Sequence, residues 1–397
     1  MSSSFGWLDA DANQRRRMLE VVDMFKDEDT VDELGVGAIR DALSGALFPG
    51  MSTIHTRLRY VLFIPWLLER ASHKPTQTEM TAEFRSLEYR LIGSLLAGGE
   101  QLGVIGSRAR DNLRRLPSGV YWSALGTWGI RQENVSIDGY FRRQQDLRLL
   151  VRRTAVADDP ETRDALPGSG IDPHLPRAPE DLLQRATFDL TSEEEAYLSD
   201  VIVRSTGGSM LAWLVLNRPG NRADNIWQLD NLTDAPAHLA ETIDHGRRFH
   251  TVIHGAVLLY NMLLARKRSS EELVVHYEGQ LREWNEEKAR TRALEGWDRA
   301  GWWATVAAHN PRIRTLTRTF VDSWIDLVST GVDVVTDNRA ATLVSARERQ
   351  IKGGRARLVN QAALDRWTGA SGVGRLDFNW SVARRHLEDI YAARSRS

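Results

Sequence analysis

Asp32–Glu69 reads DELGVGAIRDALSGALFPGMSTIHTRLRYVLFIPWLLE. Its apolar residues recur at three and four positions rather than at every second one, which is the spacing of helices. The stretch predicts a helix from about Val31 to Leu47, ended by Phe48-Pro49-Gly50, and a second helix over Ile54–Leu68 capped by Ser52 or Thr53. The first turns of that second helix would carry His55, Thr56, Arg57 and Arg59, cationic groups in an otherwise apolar setting. Such groups require a partner. An external phosphate or carboxylate at the helix start is one; an internal acid is the other, with Asp32, Glu33 and Asp41 nearest in sequence. Pro65 cannot donate to the Val61 carbonyl, so the helix is expected to kink or restart there, with Trp66 marking the bend.

The same period continues outward. Helices are expected at Asn13–Phe25, Met80–Leu96 and Ser107–Leu116, and in the second half at Ser209–Leu216, Ala237–Lys267, Glu271–Leu294, Ile313–Ser329 and Arg339–Ile351. Thr191 with Glu194, or Ser192 with Glu195, forms a capping box ahead of LTSEEEAYLSDVIVRS. Leu376–Trp380 reads as a short extended segment before a final helix. The fold class that follows is mainly α, a multi-domain helical protein with minor β content. ADDPETRDALPGSGIDPHLPRAP concentrates Pro, Gly and Asp and marks a boundary. The expected organisation is an N-terminal helical domain over 1–156, a linker or long loop over 157–180, a central helical domain over 181–337 and a C-terminal basic helical segment over 338–397.

Composition narrows the function classes. The 397 residues are 42% hydrophobic, enough for real cores, and 52 Lys+Arg against 53 Asp+Glu leave a formal charge of -1. No global field draws the chain to nucleic acid or membrane, so such binding must come from local patches. Without cysteine there is no disulfide, thiolate catalyst or Cys-ligated zinc. The start MSSSFGWLDADANQRRRM lacks the apolar core of a signal peptide, and no uninterrupted apolar run has spanning length. A cytoplasmic location without membrane contact is the expectation.

Catalytic motifs are missing. GxxxxGK[ST], GxSxG, HExxH and paired HxK segments do not occur, and Gly35 and Gly37 lack the third glycine of a dinucleotide fingerprint. His245, His250 and His254 in HGRRFHTVIHGAVLLYN are the best metal candidates, because His250 and His254 share a helix face. No acid beside them completes a shell, so no metal, cofactor or catalytic residue is assigned. Trp284, Trp297, Trp302, Trp303 and Trp324 fall at apolar helical positions and are expected to pack.

Two basic stretches remain. Arg108, Arg110, Arg114 and Arg115 precede Pro117-Ser118-Gly119 and an aromatic segment, the order of a helix-turn-helix and equally of a plain helical hairpin. From Arg347 to Arg366, Arg347, Arg349, Lys352, Arg355, Arg357 and Arg366 are met only by Glu348 and Asp365, a surplus able to neutralise phosphates beside Gly353-Gly354. Arg57, Arg59, Arg108, Arg110, Arg114, Arg115, Arg349, Lys352, Arg355 and Arg357 are therefore the candidate anion or nucleic-acid contacts.

FGWLD, LGVGAIRDALSGALFPGMSTIHTRLRYVLFIPW, RLPSGVYWSALGTWGI and KGGRARLVNQAALDRWTGASG together resemble an uncharacterised bacterial family of about this length, known only as a domain of unknown function. The resemblance spans nearly the whole chain. It implies association with anti-phage defence clusters, beside helicases and phospholipase-D-like nucleases, and hence an accessory subunit that binds DNA, such a partner, or both. The alternatives are a protein scaffold without nucleic-acid contact and a metal-dependent hydrolase or nuclease built on the three histidines.

Overall fold

The computed structural model describes residues 32–107, 115–156 and 168–396. Among them 63% are helical, in 14 α-helices with no strand. The backbone pairing outside helices is one isolated antiparallel bridge between Arg131 and Ile171. The chain is mainly α, as the apolar spacing requires.

By internal contact the chain forms two compact units, each drawn from separate stretches: residues up to Leu43 with Glu241–Phe378, and Ser44–Ala240 with Asn379–Ser397. The stretches 181–337 and 338–397 therefore each contribute to both. Of the expected linker, 157–167 lie outside the described residues and 168–180 are irregular. Asn13–Phe25 also lies outside them.

In the unit built on Ser44–Ala240, α2 (Tyr60–Ala71) is buried from Tyr60 through Leu68, on every side of the helix. It packs on α3 (Gln77–Ala97) and α4 (Pro117–Thr127), and α3 on α5 (Ile137–Val156). Around them lie α6 (Ser192–Ser205), α7 (Met210–Leu216) and α14 (Trp380–Arg396). Helix α2 runs through Pro65 without a restart, and Trp66 is buried with its indole N–H on the Pro176 carbonyl at 2.7 Å. Of the two possible capping boxes the fold uses Thr191 and Glu194: the Thr191 hydroxyl accepts the Glu194 N–H, and the Glu194 carboxylate accepts the Thr191 N–H.

The other unit is organised on α8 (Ala237–Lys267), with α9 (Glu271–Arg290), α10 (Arg299–His309), α11 (Thr315–Ser329), α12 (Asn338–Lys352) and the short α13 (Gln361–Asp365). Trp284 and Trp324 are buried and donate to the Thr251 and Val252 carbonyls of α8 at 2.7 and 2.9 Å, and Trp297, Trp302 and Trp303 are buried too. The tryptophans pack, as their spacing suggested. Gly255 permits this approach, since a Cβ there would lie 2.3 Å from the Trp284 ring.

Several expected boundaries move. Val31, the expected start of the first helix, lies outside the described residues; α1 spans Gly37–Leu47, and Asp32–Val36 stand ahead of it. Asp32 takes the amides of Val36 and Gly37 at 2.8 and 2.7 Å, and Gly35 turns at φ +65°, so the preceding residues form a turn. The expected helix over Ile54–Leu68 begins only at Tyr60, leaving Ser52, Thr53, His55, Thr56 and Arg57 outside it. Pro117-Ser118-Gly119 is no turn between helices; it is the first turn of α4, where proline has no amide to lose. Leu376 and Asp377 form no strand, and the chain turns at Phe378 and Asn379 with φ of +53° and +65° before α14.

Candidate functional site

The loop before α2 is held by one phenol. Tyr121 of α4 accepts the amides of Thr56 and Arg57 at 2.7 and 3.0 Å and donates to the Arg57 carbonyl at 2.8 Å. That anchoring replaces the expected helical turn and aims two arginines inward. The Arg57 guanidinium grips Asp389 through Nε and NH2, the latter at 2.8 Å, while Asp389 also accepts the Leu58 amide at 3.0 Å. Burial raises the Asp389 carboxyl even against that pull. Arg59 is 6% exposed and pairs with Glu194 at 2.6 Å, with the Thr187 carbonyl at 2.8 Å. Internal acids do pair with both arginines, but they are Asp389 and Glu194. The expected partners are occupied elsewhere, Asp32 on the α1 amides and Asp41 on Arg40.

In the basic C-terminal stretch, α12 and the turn that follows sort the cations into two groups. Glu348 is fully buried and accepts the Tyr260 hydroxyl at 2.6 Å, the Arg357 and Leu358 amides at 2.8 and 3.0 Å, and the Lys352 ammonium at 3.3 Å. Glu33, also buried, accepts Arg357 at 2.6 Å together with Lys352 and the Ser371 hydroxyl. Burial alone would raise the Glu33 carboxyl, but the hydrogen bonds from Lys352 and Ser371 and the charges of Lys352 and Arg357 hold it below its ordinary value. Arg347 has no carboxylate. Its guanidinium is spent on the carbonyls of Leu34, Gly35 and Leu316 and on the Thr317 hydroxyl, over the Phe320 ring.

The remaining cations face solvent. Arg349, Arg355 and Arg366 are exposed, as is Arg115 ahead of α4, and none of them forms an ion pair among the described residues. Of the six cations, Arg347, Lys352 and Arg357 are turned inward, so the surface charge is about half of what the sequence suggested. Gly353, at φ +55°, and Gly354 border open space between Arg349 and Arg355. Arg108, Arg110 and Arg114 lie outside the described residues.

The histidines of α8 part company. Trp297 donates to His245 Nδ1 at 3.2 Å, and the buried Nε2 has no hydrogen-bond partner, the Glu241 carboxylate lying 3.9 Å away. His250 Nδ1 sits 2.7 Å from the Leu376 carbonyl, so that nitrogen carries the proton and Nε2 accepts Arg375 at 3.2 Å. Burial, then the nearby Arg375, lowers His254 to about 3, so its ring is neutral. Among the described residues no three His, Asp or Glu side chains are placed to hold a metal ion. His250 and His254 instead line a cavity of about 50 Å³ with Asp32, Arg40 and Arg375.

Glu33, Glu194, Glu348 and Asp389 are the acids that sequence reading did not match to their cations. The spacing of Glu348 to Lys352, one helical turn, was a legible signal. The pairing of Glu33 with Arg357 and of Arg57 with Asp389, each over 300 residues apart, left none. Among curated proteins and among solved structures, nothing matches the chain. A family model does match, over residues 1–394, and the chain belongs to that family, described as a family of unknown function (DUF6361).

Proposed function

We propose that the protein is a non-catalytic, cytoplasmic accessory subunit of a bacterial anti-phage defence assembly, and that it binds DNA phosphates for a helicase or phospholipase-D-like nuclease partner. One observation carries the DNA contact: Arg349 and Arg355 are exposed and unpaired on either side of an open Gly353-Gly354 turn, while Lys352 and Arg357 between and beside them are locked to Glu33. A fixed turn with two free guanidiniums suits backbone phosphates, which are bound weakly and without sequence preference. The defence setting rests on the family resemblance. Binding of a DNA duplex, measured by fluorescence anisotropy across a salt series, tests the reading. Arg349→Ala with Arg355→Ala should flatten the log-log salt slope by about one to two. Equal binding by wild type and double variant, or none at low salt, overturns the DNA contact.

A second reading has its own support: Arg57, Arg59, Arg347, Lys352 and Arg357 are all spent inside the fold. In that case the chain is a protein scaffold, and a partner co-purified from the native host would bind equally well after nuclease treatment.

A further inference from the structure

The cavity beside His254 is enclosed by three distant pieces of one compact unit: the 32–40 turn and helix start, α8, and the glycine-rich loop at Gly372–Leu376. Its polar groups are unevenly used. Both Asp32 oxygens are taken by the Val36 and Gly37 amides, and both Glu33 oxygens by Arg357, Ser371 and Lys352. Each of these oxygens is therefore already engaged. The donors are not all engaged: Arg40 uses Nε and NH2 on Asp41 and leaves NH1 open, and His254, only 7% exposed, makes no hydrogen bond among the described residues. Arg375, fixed by two bonds to Glu287 and one to His250, still has protons on Nε and NH2. Spare donors beside carboxylates that are already engaged suit a ligand that accepts.

We infer that this cavity is a binding site for a small oxyanion, of phosphate or carboxylate type, held by Arg40, His254 and Arg375. About 50 Å³ is more than one water's share of liquid and admits an ion of a few heavy atoms, not a nucleotide. The bonds to Glu287 and His250 fix one guanidinium at the cavity wall, as a preformed site requires. The site shares no residue with the Arg349 and Arg355 turn, so it stands or falls apart from DNA binding.

The test follows the His254 ring by NMR in the full-length protein while inorganic phosphate, acetate or chloride is added at matched ionic strength. Phosphate or acetate should give a saturable shift that chloride does not, and whichever binds tighter identifies the class. Arg40→Gln, a half-exposed position whose loss leaves the core intact, should weaken that binding about tenfold. His254→Gln, retaining a donor, should weaken it less than His254→Phe, read by the anion-dependent rise in melting temperature. A ring unmoved by either oxyanion, moved equally by chloride, or shifting as strongly in Arg40→Gln would show a water-filled cavity and overturn the inference.

Discussion

Each compact unit buries a polar cluster, and the two satisfy burial in opposite ways. Around Glu33 and Glu348 the charges stay and every one is answered, by Lys352, Arg357, Tyr260 and Ser371. Around His55, Tyr121 and His386 the charge is given up. The His55 ring stacks on Tyr121 with centroids 4.2 Å apart and lies 5.9 Å from His386. Neither His386 nitrogen has a partner, and His55 keeps one bond, to the Val120 carbonyl at 3.2 Å. A buried charge survives only where opposite charge and hydrogen bonds surround it. A buried imidazole can instead discard its proton and keep its packing.

Substitution of Glu348 is the most severe way to test the charged cluster. Glu348→Ala removes the acceptor for Tyr260 and two amides and leaves Lys352 with Glu33 as its one carboxylate among the described residues. The expected cost is about 3–5 kcal/mol, read as a fall in the urea midpoint with unchanged slope. Arg59→Ala, which strands Glu194, should cost a similar amount. A loss of under about 1 kcal/mol for either would mean that the charges are solvated, and the contrast between the clusters would collapse.

Sequence periodicity made the helices legible because each carries its own signal locally. Ala237–Lys267 was readable to the residue, and Thr191 with Glu194 fixed the start of α6. The segment before α2 was misread because Tyr121, some 60 residues away, satisfies the backbone amides that a helix would otherwise satisfy. The basic stretch was half legible. Its charge is real, but which cations face water depends on Glu33, which reaches Lys352 and Arg357 only after the fold has closed. Local chemistry marks that arginines need partners, and tertiary contact decides which acids those are.

The neutral cluster should reveal itself by pH. Burial lowers His55 from 6.5 to about 4, and His386, near His55, Arg57 and Arg385, falls well below 6.5. The unfolded chain therefore takes up protons first. Stability is complete above about pH 6.5 and declines as pH falls toward 4. For His55 alone the loss between pH 7 and pH 5 is about 2 kcal/mol. Glu33, whose carboxyl is lowered from 4.5, contributes its loss only below that value. Urea melts at pH 7 and pH 5 check the separation, and His386→Phe should shrink the difference between them. A pH difference unchanged in that variant would place the sensitivity elsewhere, with His250 and His254 next in line.

The smallest effect is expected where the same residue type stands free. Arg349 and Arg355 are exposed and have no acid to strand, so their replacement by Ala should leave the urea midpoint where it was. Arg357, two residues further on, donates to both Glu33 and Ser371, and its replacement should lower that midpoint clearly. The difference matters for the DNA reading, because a variant that unfolds loses binding for uninformative reasons. Arg349→Ala with Arg355→Ala is the clean variant, since a change in its salt slope reports phosphate contact alone. If that variant also melts early, the turn at Gly353-Gly354 is part of the buried network rather than its free edge, and the scaffold reading gains.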